Sequence, residues 1–216
     1  MAYFSPFNRL KSLLLHGNTL IKSGQCNLGV FYIKKKNFSH FYLLAVILGC
    51  YKMYYNETAS IELPFVFLLH LIRRLYETVF IFKYRSYSKM HIMHYLAGHF
   101  YYFSVWEIVS RISLLSTVTC IVLVILQCFQ FYLHVILASN TNHETLPHQF
   151  PYDILICPHY FVEVVMYIVI CYCAGSKSAI LMAIFTTLNL TISASYLKTS
   201  YEKVGIKKYA IFYGVY

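Results

Sequence analysis

ISLLSTVTCIVLVILQCFQFYLHVILA, residues 112–138, is the stretch that decides the fold. It runs for 27 residues without an Asp, Glu, Lys or Arg, longer than the about 20 apolar residues a helix needs to cross the hydrocarbon core of a bilayer. Gln130 and His134 interrupt it one helical turn apart. In lipid such groups must turn inward, toward protein or a water-filled cavity.

Five further apolar stretches, roughly 40–56, 61–82, 91–110, 154–174 and 178–197, have spanning length. The third is the least apolar, because His94, His99 and Glu107 lie in it. The expectation is an all-α integral membrane protein, a bundle of about six transmembrane helices. The composition agrees: 59% hydrophobic and 12% charged residues, with a mean hydropathy of +0.56, exclude an ordinary soluble domain. A length of 216 residues allows one domain.

The formal net charge of +10 sits on the flanks. Arg9, Lys11, Lys22 and Lys34 to Lys36 precede the first long run, and Lys198, Lys203, Lys207 and Lys208 follow the last. Such flanks read as topology on an anionic leaflet and not as a nucleic-acid footprint. With six spans, the side holding both termini and the 83–90 and 139–153 loops carries thirteen Lys and Arg, against Lys52, Arg111 and Lys177 opposite. Both termini are therefore expected in the cytosol. The 139–153 loop has no Lys or Arg; it carries His143, Glu144, Pro147, His148, Pro151 and Asp153, a polarity topology does not explain.

Seven cysteines, mostly inside apolar runs and without paired C-x-x-C spacing, imply neither a disulfide framework nor a metal site. Leu13 to Leu15 is too short for a signal-peptide core, so the first span is expected to act as the targeting signal. Asn56-Glu57-Thr58 matches the glycosylation acceptor pattern on the lumenal side, but it hugs a span end, which weighs against its use. The chain shows no internal repeat.

The polar residues within the spans fall at helical spacing. His70, Arg73, Arg74 and Glu77 stand at i, i+3, i+4 and i+7 on the second span; Gln130 and His134, and His159 and Glu163, stand at i and i+4 on the fourth and fifth. The plain alternative is an interhelical Arg74–Glu77 ion pair, with His134 and His159 as hydrogen-bonded core residues. Stability alone rarely justifies so many, because a buried ion pair often only breaks even against apolar packing. A transporter pathway would use such groups too, but normally with inverted repeats or broken helices.

His70-Leu-Ile-Arg-Arg-Leu-Tyr-Glu77 and Cys157-Pro-His-Tyr-Phe-Val-Glu163 carry a resemblance to a known family. Ser39-His-Phe-Tyr42, His94-Tyr-Leu-Ala-Gly98, His134-Val-Ile-Leu-Ala138 and Asn189-Leu-Thr-Ile-Ser-Ala194 add to it, in family order from residue 39 to the C-terminus. The chain resembles the polyprenol reductase branch of the steroid 5α-reductase family. That resemblance implies a multi-pass endoplasmic reticulum enzyme of dolichol synthesis, which uses NADPH to saturate a carbon–carbon double bond of a long-chain polyprenoid. It also implies a catalytic domain over 39–216 behind a basic cytosolic segment, 1–38. Arg74, Gln130, His134, His159, Glu163 and Tyr201 match cofactor-region positions. Arg73, Arg74, Lys198 and the imidazoles are the cations and donors that pyrophosphate and a 2′-phosphate need. No protein partner is inferred.

The chain departs from that pattern in four places. His148-Gln149 follows Pro147 where a glycine pair is usual, Glu144 stands in place of a tyrosine, and the C-terminal proline is replaced near Tyr213. Most of the family's N-terminal span is expected to be missing, since Leu15-His-Gly-Asn-Thr19 matches the segment after it.

Hydride is a nucleophile and needs an electron-poor carbon, so an α,β-unsaturated aldehyde suits it better than an allylic alcohol. An acid near the carbonyl oxygen must then stabilise the developing enolate, and His70, Tyr76 and Glu77 are the candidates. Three other readings stand beside this one: a steroid or enoyl-thioester reductase, an isoprenylcysteine-type methyltransferase using S-adenosylmethionine, and an inactive membrane relative.

Overall fold

The computed structural model describes residues 32–55, 57–84, 88–112, 116–140, 145–212 and 214. The expectations placed on Leu13 to Leu15, Leu15 to Thr19, Asn56, His143, Glu144 and Tyr213 lie outside the described residues. Six α-helices are described: α1 (Ser39–Tyr54), α2 (Glu62–Tyr76), α3 (Ile92–Val109), α4 (Thr117–Ser139), α5 (Pro158–Ala174) and α6 (Lys177–Glu202). They follow the six apolar stretches in order.

α4 and α6 are long and apolar enough to cross a membrane, and α5 is apolar but shorter. At 1.5 Å per residue, the 23 residues of α4 extend about 34 Å. Only 28% of the most apolar window of either helix is buried. The exposed remainder, with Ile125 on α4 and Leu181 on α6, is the apolar surface a lipid-facing helix presents. The chain is a helical membrane protein.

Local chemistry sets the boundaries. α4 starts at Thr117 and not at 112, because the Ser116 hydroxyl accepts from the Val118 N–H at 3.2 Å and caps the helix. Pro158 opens α5 at a first-turn position where its missing N–H costs nothing. Gly175 closes α5 in the left-handed conformation, φ 56°, which a side chain would strain. Ser176 then caps α6 by accepting from the Ala179 N–H, so α5 and α6 form a tight antiparallel hairpin.

α2 does not end where its α-helical bonds end. It continues through one π turn, Glu77–Ile81, in which the Phe82 N–H reaches the Glu77 carbonyl at 2.8 Å. Such turns occur mostly as single insertions in α-helices, frequently at functional sites.

α1, α2 and α3 pack around Trp106, whose indole N–H donates to the Ala45 carbonyl at 2.8 Å. At one end of the bundle Lys52 of α1 pairs with Glu107 of α3 at 2.7 Å, and Arg111 with the same carboxylate at 3.4 Å. The opposite end is tied by backbone pairing. β1 (Tyr32–Lys34), just before α1, runs antiparallel to β2 (Lys89–His91), just before α3. A bridge joins Leu155 to Tyr209, and Lys208 Nζ donates to the Tyr152 carbonyl at 2.7 Å. The described segments nearest both termini thus share one end with the described parts of the 83–90 and 139–153 connections.

Candidate active site

The inward stripes of α2, α4 and α5 meet in one buried polar layer. Glu77 is its centre, 0% exposed although ionisable. Arg73 bonds one carboxylate oxygen through Nη1, and Arg74 Nη1 donates to the other at 2.5 Å. His134 Nδ1 lies 2.8 Å from that second oxygen and 3.0 Å from Arg74 Nη1. The Arg74–Glu77 pair is therefore within one helix, at i and i+3, and not interhelical as the plain alternative had it. His134 carries the link to α4.

Gln130, 0% exposed, extends the layer. Its Oε1 accepts from Arg73 Nη2 at 2.5 Å, and its amide donates to Glu163 Oε2 at 3.0 Å and to the His159 carbonyl at 3.4 Å. Arg73 Nη2 also lies 3.2 Å from His70 Nδ1. Two guanidiniums and two carboxylates, carried by α2 and α5, thus balance, each held by hydrogen bonds, the condition under which buried charge is tolerable. One donor is left over: Arg73 Nε is buried with no partner among the described residues. An orphan buried N–H costs about 1–3 kcal/mol and calls for an explanation.

Open space adjoins the layer on both sides. Toward the end that carries β1, β2 and the tail is a cavity of about 300 Å³, lined by Lys35, Lys83, Asn140, His159, Tyr160 and Tyr201 among others. That volume lies at the lower limit of the roughly 300–1,000 Å³ typical of ligand pockets. On the opposite side is a narrow apolar slit of about 10 Å³, bounded by Phe67, His70, Leu123, Gln127, Met166 and Tyr167. His70 borders the slit and His159 the cavity, so the layer stands between the two.

His159 is held from both sides. The Tyr152 hydroxyl donates to the Leu133 carbonyl at 3.0 Å and lies 3.2 Å from His159 Nδ1. With its one proton given to Leu133, that hydroxyl accepts from Nδ1–H, which fixes the ring. Burial pushes the Tyr152 phenol up, so it stays neutral. Burial also pulls the Lys35 ammonium below its ordinary value.

Of the residues expected to act, His70, Arg74, Glu77, Gln130, His134, His159 and Glu163 join the layer, and Tyr201 lines the cavity. Tyr76 does not join: it is 51% exposed and packs on Phe80, because it lies off the stripe that carries His70 and Glu77. Lys198 is not among the cavity's lining residues. Two members were not expected. Tyr42 of α1 accepts from Arg74 Nη2 at 2.9 Å; the Ser39-His-Phe-Tyr42 segment was its only signal. Tyr152, in the 139–153 connection, had none.

Residues 31–211 match the family described as 3-oxo-5-alpha-steroid 4-dehydrogenase. The chain belongs to that family. A relative within it, the polyprenal reductase of Saccharomyces cerevisiae, is 32% identical over 182 residues, covering 80% of this chain and 69% of the relative. Membership makes the chain an oxidoreductase acting on a CH–CH group and taking a nicotinamide cofactor. As in other enzymes of that class, the protein's part is to bind, orient and supply electrostatics.

Proposed function

We propose that the chain is an NADPH-dependent polyprenal reductase of dolichol synthesis, set in the endoplasmic reticulum membrane with six spans and both termini cytosolic. The observation that carries this reading is the order cavity, polar layer, apolar slit. A nicotinamide nucleotide suits the cavity, which offers lysines, aromatic faces and amide and hydroxyl groups, with no Asp or Glu among its described lining residues. The slit, at about 10 Å³, is too small for an isoprenoid chain in the closed bundle; its apolar walls would receive one only once α2 parts from α5. The printed name of the yeast relative supports the same substrate class.

NADPH, when bound, supplies the hydride. His159, Tyr160 and Tyr201 border the cavity and would hold the nucleotide at the layer. The unpartnered Arg73 Nε–H is the donor that a carbonyl oxygen would satisfy, and the guanidinium charge beside it stabilises a developing enolate. His70, bonded to Arg73 and bordering the slit, is placed to give a proton to that oxygen. Glu77, accepting from two arginines, orients them and is not the donor. The reading requires a conjugated aldehyde, because hydride does not add to an isolated allylic double bond.

Complementation tests it. A strain lacking its own polyprenal reductase should recover dolichol and glycosylation with this chain, and not with Arg74→Ala or His159→Ala chains present at equal level. Full recovery by both variants would leave only a non-catalytic role.

A further inference from the structure

The guanidiniums of the polar layer are already engaged. Arg73 and Arg74 direct their terminal nitrogens at Glu77, Gln130, His70, His134 and Tyr42. Each of those nitrogens already has a partner inside the layer, and neither arginine is among the cavity's described lining residues. The cavity has other cations. Lys35 enters its wall from the turn before α1, and Lys83 from the chain just past the π turn of α2.

Among the described residues, two features mark this corner as cation-rich. The register of β1 and β2 sets Lys34 directly opposite Lys89, a like-charge cross-strand pair that destabilises a ladder. Lys36 follows, exposed. Among the described residues, the ion pairs of this protein involve Lys52, Arg73, Arg74, Arg111 and His134, and none of these corner lysines. The Lys35 ammonium instead stands 5.9 Å over the Phe38 ring, while its backbone N–H is fixed to the Ser88 carbonyl at 2.9 Å.

We propose that Lys35 and Lys83 bind the 2′-phosphate that distinguishes NADPH from NADH, and so set the cofactor preference. The inference rests on the reading of the cavity given above. With the nicotinamide against the layer at His159, the adenosine half must leave through the mouth, and its ribose phosphate is the charge that reaches the rim. A phosphate monoester carries about −1.5 to −2 charges near neutral pH and calls for more than one cation. Two lysines converging from separate segments meet that need as point charges, without the bidentate geometry arginine would impose. Lys34, Lys36 and Lys89 add a field that draws the anion in.

The test is equilibrium binding of NADPH, NADH and adenosine 2′,5′-bisphosphate to the purified full chain in lipid nanodiscs, with no turnover. Wild type is expected to prefer NADPH to NADH by about tenfold or more. Lys35→Gln and Lys83→Gln should each reduce that preference, and the double variant should bring it to about one and abolish bisphosphate binding, with NADH affinity within about twofold of wild type. Lys83 is exposed at the rim, so Lys83→Gln remains informative if Lys35→Gln fails to fold. Lys35→Arg with Lys83→Arg should keep the preference. A double glutamine variant that binds NADH normally and still prefers NADPH tenfold would overturn the assignment. Wild type that binds neither nucleotide would overturn the reading of the cavity, and this inference with it.

Discussion

The Nη2 of Arg74 donates to the Tyr42 hydroxyl at 2.9 Å, and the guanidinium lies 5.2 Å from that ring's centre. This contact closes the polar layer on the α1 side, where the Tyr102 ring covers it at 5.3 Å. Tyr42→Phe keeps the ring and removes the acceptor, leaving a buried charged donor unpaired at a cost of about 1–3 kcal/mol. Thermal unfolding in detergent should show a clear fall in midpoint. The kcat should drop by roughly tenfold to a hundredfold, since Arg74 is no longer held in register, with nucleotide affinity little changed.

Glu77 neutralises two arginines at once, so its loss should be felt first in stability. Glu77→Gln leaves uncompensated buried charge and is expected to cost roughly 3–5 kcal/mol. Adding Arg73→Met to it restores the balance of one cation, Arg74, against one anion, Glu163. The double variant should therefore unfold at a higher temperature than Glu77→Gln alone while staying inactive. Simple additivity of the two losses would contradict the coupling.

Much of this arrangement was legible in the sequence, and the rest was hidden for identifiable reasons. The six apolar runs matched the six described helices, of which α4 and α6 are long and apolar enough to cross a membrane; their ends depend on caps such as Ser116, which shift a start by several residues. The stripe His70, Arg73, Arg74, Glu77 follows from the period of the helix alone. Tyr76 lies off that stripe by the same arithmetic, and only the chemistry of its phenol recommends it. The partners across helices were not legible, because Arg74 meets Tyr42 and His134 only once α1 and α4 pack on α2. Lys35 and Lys83 lie far apart in the chain, and the backbone pairing that gathers this corner involves two three-residue strands without an alternating pattern.

Gly49 lets α1 and α3 approach closely. A Cβ there would enter the indole of Trp106, which is fully buried and bonded to Ala45. Gly49→Ala should cost about 1–3 kcal/mol, as overpacking in tight cores does. The same substitution at Gly175, where an added Cβ would meet no atom within 4 Å but φ is positive, should act through backbone strain alone. Thermal midpoints of the two variants in one detergent check this.

Tyr152 steadies His159 from outside the helices. Tyr152→Phe keeps the packing and frees the Nδ1 edge, so nucleotide affinity should fall by about tenfold, the size of one lost buried hydrogen bond. The midpoint of unfolding should move less than with Tyr42→Phe, because no charged group is stranded. Titration with NADPH in nanodiscs measures it.

The central claim is the reduction itself. Purified protein in lipid nanodiscs, given polyprenal and NADPH deuterated at the transferred position, should yield an α-saturated product carrying one deuterium at the β-carbon by mass spectrometry, while polyprenol in place of polyprenal should not be reduced. Folded protein that binds NADPH yet forms no saturated product from polyprenal would contradict the account.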